Sequence, residues 1–195
     1  MLTTLTAIKT RLGIEQFETT DDLLLTSILK HVSARFEAEC NRRFETQANA
    51  TFEFRASERF LIPDRLPIQA VSSFELKVTE AAGWVLQAQV DYLLSPQKSV
   101  IELATRLGCP SQLARVTYTG GYLLPGTTPP GNPPPLPDDI EQACIEQVAY
   151  WYQRRTQLGL VSIASEGGST VQQFQSSDLL PQVRATLKHY ERWLN

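Results

Sequence analysis

The apolar residues of this chain change their period twice, and that switch limits the folds open to it. After Thr20 they recur every three to four residues, with Leu25, Ile28, Val32, Phe36 and Cys40 in one line. Such spacing marks an amphipathic helix. Past Phe44 the step drops to two. Thr51-Phe-Glu-Phe-Arg55 and Ser73-Phe-Glu-Leu-Lys-Val-Thr79 alternate polar and apolar residues, as half-buried strands do. Past Pro137 the helical step returns, carried by Ile140, Cys144, Val148 and Trp151. Helices at both ends and strands in the middle place the chain in the α+β class.

Punctuation residues sharpen the boundaries. A first helix is expected over Thr4 to Arg11, with Leu5, Ile8 and Leu12 in line and Gly13 as its stop. A second runs from Asp21 to about Arg43, with Thr20 as its cap, Asp21 and Asp22 in its first turn, and Arg42 and Arg43 at its C-terminal end. Phe60-Leu-Ile62 is a short strand stopped by Pro63, and Ala81-Ala82-Gly83 reads as a turn. Tyr92-Leu94 and Val100-Leu103 form a hairpin around Ser95-Pro96, and Arg115-Thr119 turns Val116 and Tyr118 inward. Pro137-Asp138-Asp139 opens a third helix, which Gly159 ends. Ser177 or Asp178 caps a fourth, whose stripe is Leu180, Val183, Leu187, Tyr190 and Leu194.

The architecture this implies is a helical bundle formed by both chain ends, with a β-rich antiparallel insertion between helices 2 and 3. Residues 1–46 and 138–195 make the two halves of the frame, and 47–124 the insertion. Residues 125–137 are a linker in which seven of thirteen positions are proline. Such a stretch is extended and semi-rigid and serves as a spacer, or less plausibly as a proline-rich ligand.

Composition narrows the functions. Of 195 residues 42% are hydrophobic and 20% charged, a globular balance. The net charge of -3 leaves no excess of cations to displace phosphate counterions, which argues against a basic nucleic-acid binder. No apolar run approaches the ~18 residues that cross a bilayer, and the N-terminus does not read as a signal peptide. The three cysteines, Cys40, Cys109 and Cys144, are odd in number and far apart. They suit buried thiols in a reducing compartment.

Groups that could carry chemistry are few. No CxxC, HExxH, GxSxG or phosphate-loop motif is present. The acidic pairs Asp21-Asp22 and Asp138-Asp139 sit at helix starts, where carboxylates favour the dipole. His31 and His189 lie inside helices and off the main stripes. No catalytic, metal or cofactor site is expected. Arg42, Arg43, Arg154 and Arg155 are read as helix C-terminal charges, which leaves open a local basic patch for DNA contact. Gly120-Gly121 reads as a bulge or tight exit from a strand.

Residues 159–177 are too long for a routine helix connection. They carry Gly167 and Gly168 at their centre and spaced apolar residues, Val171 and Phe174 among them. Two readings stand. Either this is a mobile arm that binds a partner by strand addition or pocket insertion, with Arg154 and Arg155 at its base, or it is a loop folded over its own subunit.

Several stretches in order carry a resemblance: Thr20-Asp21-Asp22 before a long helix ending Asn41-Arg-Arg-Phe44, Tyr118-Thr-Gly-Gly-Tyr122, Leu136-Pro-Asp-Asp-Ile140, Phe174, Leu180-Pro-Gln-Val-Arg184, Leu187 and Tyr190-Glu-Arg192. Together they resemble the head–tail connector (adaptor) proteins of long-tailed bacteriophages and prophages, over nearly the whole chain. The resemblance implies a structural virion protein at the neck, assembled in the host cytoplasm and without enzymatic activity. It implies a ring of copies, following the portal's twelve-fold symmetry, that extends the DNA channel and offers a docking platform. Its partners would be the portal protein, a tail, stopper or tail-terminator protein, its own copies, and passing double-stranded DNA held without sequence-specific contacts. Another neck or tail-completion subunit is the near alternative. A DNA-contacting regulatory module and a carboxylate hydrolase are the distant ones.

Overall fold

The computed structural model describes residues 1–128, 131–155, 162–164, 170–172 and 178–193. The fold is α+β, with helices contributed by both chain ends and a β-rich stretch between. The chain divides into two compact units, Met1–Cys40 with Pro137–Tyr190, and Asn41–Leu136 with Glu191–Asn195.

The first unit is helical: α1 (Leu5–Leu12), α2 (Asp22–Glu39), α3 (Asp138–Gln153) and α4 (Pro181–Lys188). Thr4 caps α1 by accepting the Ala7 amide at 3.2 Å, and Gly13 ends it in the left-handed region at φ 70°. Helix α3 packs against α1, α2 and α4. Its Ile140, Cys144 and Val148 meet a core that includes Leu25, Leu29, Val32 and Phe36 of α2 and Val183 and Leu187 of α4. The buried line on α2 runs through Leu29, while Ile28 is half-buried at its border.

Several helix boundaries differ from the sequence reading, and α3 ends at Gln153 with Arg154 as its C-cap, short of the expected stop at Gly159. Thr20 does not cap α2. Its hydroxyl and amide both donate to the Glu18 carboxylate, and Asp21 occupies the cap position without a side-chain cap bond. Helix α2 ends at Glu39, not Arg43. Asn41 takes φ 49° and turns the chain out of the helix, and the Arg43 amide then donates to the Asp64 carbonyl at 2.8 Å. Helix α4 starts at Pro181, with Leu180 rather than Ser177 or Asp178 at its cap, and stops at Lys188. Tyr190 lies in a turn beyond it, and Leu194 lies outside the described residues.

The second unit is two antiparallel sheets over one core. A four-stranded sheet has the order β1 (Gln47–Arg55), β7 (Leu113–Gly120), β3 (Ile68–Lys77), β4 (Val85–Gln87). A three-stranded sheet has the order β2 (Phe60–Leu61), β6 (Ile101–Leu103), β5 (Tyr92–Leu94). Strand β7 lies between β1 and β3, and its alternate residues Ala114, Val116 and Tyr118 are fully buried. They meet Phe54 and Phe74 of the same sheet and Leu61, Ile101 and Leu103 of the other. The Tyr118 hydroxyl donates to Asp64 at 2.7 Å and accepts the Arg65 amide at 3.1 Å, so its burial leaves no polar atom unpaired. Burial and the Asp64 carboxylate push its phenol well above the ordinary range.

Glycine is required at the exit of β7. A Cβ on Gly121, at φ 109°, would come within 2.6 Å of the Glu45 carbonyl oxygen. The proline-rich stretch that follows does not run straight. Leu123 donates to the Pro134 carbonyl at 2.8 Å and accepts the Leu136 amide at 3.0 Å, which folds the stretch back on itself.

Candidate functional site

The acidic pairs at the helix starts reach across the helical unit. Asp22 pairs with Lys9 of α1 at 2.6 Å, and Asp21 accepts the Tyr152 hydroxyl from the end of α3. That carboxylate raises the Tyr152 phenol above its ordinary range. Asp139 takes the Tyr190 hydroxyl on both oxygens, at 2.8 and 2.9 Å. These carboxylates tie sequence-distant elements together. Among the described residues no group of three His, Cys, Asp or Glu side chains is placed to hold a metal ion.

The arginines do not act as bare helix-end charges. Arg42 is buried beyond α2 in the β unit, where it donates to the Leu66 carbonyl and lies over the Phe44 and Tyr122 rings at 5.1 and 5.5 Å. Its position corrects the helix-terminal reading: once Asn41 ends the helix, the guanidinium is directed into an aromatic and carbonyl-lined slot. Arg154 caps α3 and donates to the Tyr150 hydroxyl, with its guanidinium 5.1 Å from that ring. Arg155 donates to the Tyr152 carbonyl at 2.9 Å and stacks on the Tyr152 ring at 4.0 Å.

The remaining reactive types are dispersed. His31 is exposed, with its ring edge-on to Trp151 at 5.2 Å, and His189 is the exposed C-cap of α4. Trp151 is half-buried, and its indole nitrogen finds no acceptor among the described residues. Cys40 and Cys144 are buried, and burial pushes the Cys144 thiol up to about 12. Cys109 is exposed, against the expectation of three buried thiols. It sits in a turn between Gly108 and Pro110, where no apolar pattern draws it inward.

Two apolar surfaces escaped the sequence reading. In the loop between α1 and α2 Phe17 is 94% exposed, and in the first turn of α2 Leu23 is 89% exposed. The fully buried Lys9 ammonium donates to the carbonyls on either side of Phe17, those of Gln16 at 3.2 Å and Glu18 at 2.6 Å. In the β unit, Phe60 and Leu93 flank Glu102 in one row across the three-stranded sheet and are both exposed. Exposed Trp193 follows Arg192, whose guanidinium donates to the Ile62 carbonyl at 3.0 Å and lies 5.9 Å from the Phe52 ring. One sequence signal was available for the first surface. Three consecutive leucines, Leu23 to Leu25, cannot all face one core from a helix.

Within residues 159–177 the structure describes a two-stranded hairpin, β8 (Ser162–Ala164) and β9 (Thr170–Gln172), with Ile163 opposite Val171. Gly167, Gly168 and Phe174 lie outside the described residues.

The whole sequence decides its kinship, matching the head completion proteins over residues 1–193. The chain belongs to the head completion protein family. No curated protein matches it. Among solved structures, the fold is shared with a chain from the neck of an empty GTA particle computed with C6 symmetry. That match has a TM-score of 0.57 at 16% identity, covering 97% of this chain and 90% of the other. A chain from the neck of a native GTA particle computed with C12 symmetry matches with TM-score 0.53, 17% identity and coverage of 97% and 92%. A chain from the virion of a native gene transfer agent particle gives 0.55, 16%, and 97% and 89%. Membership in a head completion family agrees with the sequence resemblance to head–tail connectors and gives this protein a structural role in completing the head.

Proposed function

We propose that this head completion protein is the head–tail connector of a phage-like particle. In this reading it sits at the neck as a ring of copies on the portal, twelve-fold where the portal is. The ring lengthens the DNA channel and gives the tail, or a stopper or tail-terminator protein, its docking platform. The observation that carries the reading is a family match over residues 1–193 in a chain whose fold recurs in particle necks of C6 and C12 symmetry. The net charge of -3 supports it, because a strongly basic lumen would hold the passing DNA. The engagement of Arg42, Arg154 and Arg155 with aromatic rings and carbonyls favours this reading over a DNA-contacting regulatory module.

A ring uses heterologous contacts, which gain strength on closure, so the free chain associates weakly and the portal templates the ring. Segment 159–177 is the proposed portal or neighbour arm, acting through Gly167, Gly168, Val171 and Phe174 with Arg154 and Arg155 at its base. Electron microscopy of the protein mixed with cognate portal, or with tail-less heads, tests the whole reading. A ring at the portal vertex is expected, and a tight closed dimer that ignores the portal overturns it. Phe174→Ala tests the arm: subunit melting stays nearly unchanged while attachment to heads is lost. An unfolded subunit with attachment spared in the folded remainder would instead make Phe174 a core residue.

A further inference from the structure

The four-stranded sheet of the β unit has β1 at one edge and β4 at the other. In an antiparallel ladder, alternate residues turn their amide and carbonyl toward the neighbouring strand and the rest turn them away. The Ala56 amide donates to the Gln112 carbonyl at 3.1 Å, one step beyond the Arg55–Leu113 pair. The bonds from β1 to β7 therefore run through Phe54, Phe52 and Ala50. The amides and carbonyls of Thr51 and Glu53 point away from the sheet. Both residues are exposed, and these groups meet no partner among the described residues. The opening is bounded at both ends. Arg55 gives its carbonyl to the Glu58 amide at 2.9 Å and its own amide to the Glu58 carboxylate at 3.4 Å. Asn49, at φ 54°, sits in the register shift between Gln47 and Ala50.

The same alternation carries across to the other edge. Ala114, Val116 and Tyr118 bond β1, which leaves Leu113, Arg115 and Thr117 for β3, opposite Lys77, Glu75 and Ser73. Phe74 and Leu76 then bond Gln87 and Val85 of β4. The amide and carbonyl of Leu86 point outward, again with no partner among the described residues. Val85 is 51% exposed and Leu86 63%. Strand β4 is three residues long, the length of the Thr51–Glu53 opening.

We infer that β4 of one copy adds to the Thr51–Glu53 edge of the next, so that the sheets run on from copy to copy. The inference rests on the ring reading above and is independent of segment 159–177. Every pair in the sheet is antiparallel, so β4 meets the β1 of a second copy in that same sense. The faces also continue. Leu86 lies in one row with Glu75, Arg115 and Glu53, and Val85 in the next with Leu76, Ala114 and Phe54. Pairing Leu86 with Glu53 or with Thr51 sets Val85 beside Phe54 or Phe52, apolar against apolar. The two edges differ, so their union is heterologous and propagates, whereas β1 on β1 would close a two-fold dimer. A match this short falls far below the roughly 1,200 Å² of a stable interface. Copies therefore stay apart in solution and join where the portal holds them side by side.

Cross-linking of the full chain on cognate portal tests it. In a Cys109→Ser background, which removes the exposed thiol, Glu53→Cys and Leu86→Cys are placed in one chain. Within a chain the two positions are three strand spacings, about 14 Å, apart, so a shorter bis-maleimide bridges only between copies. A covalent ladder beyond the dimer is expected, and neither single-cysteine chain should give one. Leu86→Pro removes the outward N–H and no bond to β3, as proline on an edge strand does. With an unchanged circular dichroism spectrum it should lower portal occupancy about tenfold or more, while Leu86→Ala, which keeps the N–H, should assemble as the wild type does. A complete wild-type ring with no ladder overturns the inference and leaves the ring reading standing. So do dimers from the Glu53→Cys chain alone, which would mean a β1–β1 contact, and so does a folded Leu86→Pro chain that fills the portal normally. If Leu86→Pro fails to fold, the ladder alone decides. If the wild-type chain forms no ring on portal, the ring reading fails and this contact with it.

Discussion

The side-chain oxygen of fully buried Gln147, midway along α3, accepts the Leu180 amide at 2.9 Å. Leu180 is the cap residue of α4, and that helix has no side-chain cap of its own. A glutamine from one helix thus takes up an amide at the start of another. The donor fixes the orientation of the amide group, since only Oε1 can face an N–H. Its Nε2 finds no acceptor among the described residues, so the group is held for the one bond it makes.

Gln147→Ala should therefore destabilise the chain by about 1–3 kcal/mol, the range for leaving a buried donor unmet. Denaturant unfolding measures it, and hydrogen exchange should quicken first at the start of α4.

Phe36 lies at zero exposure among α3 and α4 residues in the helical core. Phe36→Ala should cost about 3–5 kcal/mol through lost transfer and the cavity left behind. Equilibrium unfolding of the full chain checks the value, and a loss below about 1 kcal/mol would show that the helical core does not depend on this side chain.

Lys9→Met removes the cation that pairs with Asp22 and binds the Gln16 and Glu18 carbonyls. Breaking so buried a pair should cost about 3 kcal/mol. The Phe17 loop should also become a site of rapid chymotryptic cleavage, while the wild-type loop resists.

The thiols should separate by reactivity. Cys109 should be alkylated in the native protein, and Cys40 and Cys144 only on unfolding. Counting adducts by mass spectrometry before and after denaturation gives one and then three.

Alkaline pH should weaken the fold. Burial raises the Cys144 thiol from 9.0 to about 12, and Tyr118 is raised as well. A raised thiol binds its proton more tightly in the folded chain, so its contribution is complete below pH 9 and is lost as pH climbs toward 12. The slope is at most about 1.4 kcal/mol per pH unit for each such group. Denaturant midpoints from pH 8 to 11 should fall steadily. A flat profile would mean that neither group is buried neutral.

Much of this was legible in residue order. Period and punctuation alone set α1 with its Thr4 start and Gly13 stop, the Tyr92–Leu94 hairpin with Ile101–Leu103, and the inward Val116 and Tyr118, because those elements follow local rules of spacing and backbone sterics. The connector resemblance came from residue order as well, and family membership bears it out. What the tertiary structure decided is where long-range partners outweigh local signals. Asn41 turns the chain out of α2 and Arg42 finds its slot against Phe44 and Leu66, where helical spacing ran on to Arg43. Thr20 gives its hydroxyl to Glu18 and leaves the cap to Asp21. Nothing in the spacing of residues along α1 singles out Lys9. Only the folded chain brings it beneath Phe17, because an ammonium with three donors draws together carbonyls and a carboxylate seven to thirteen residues away.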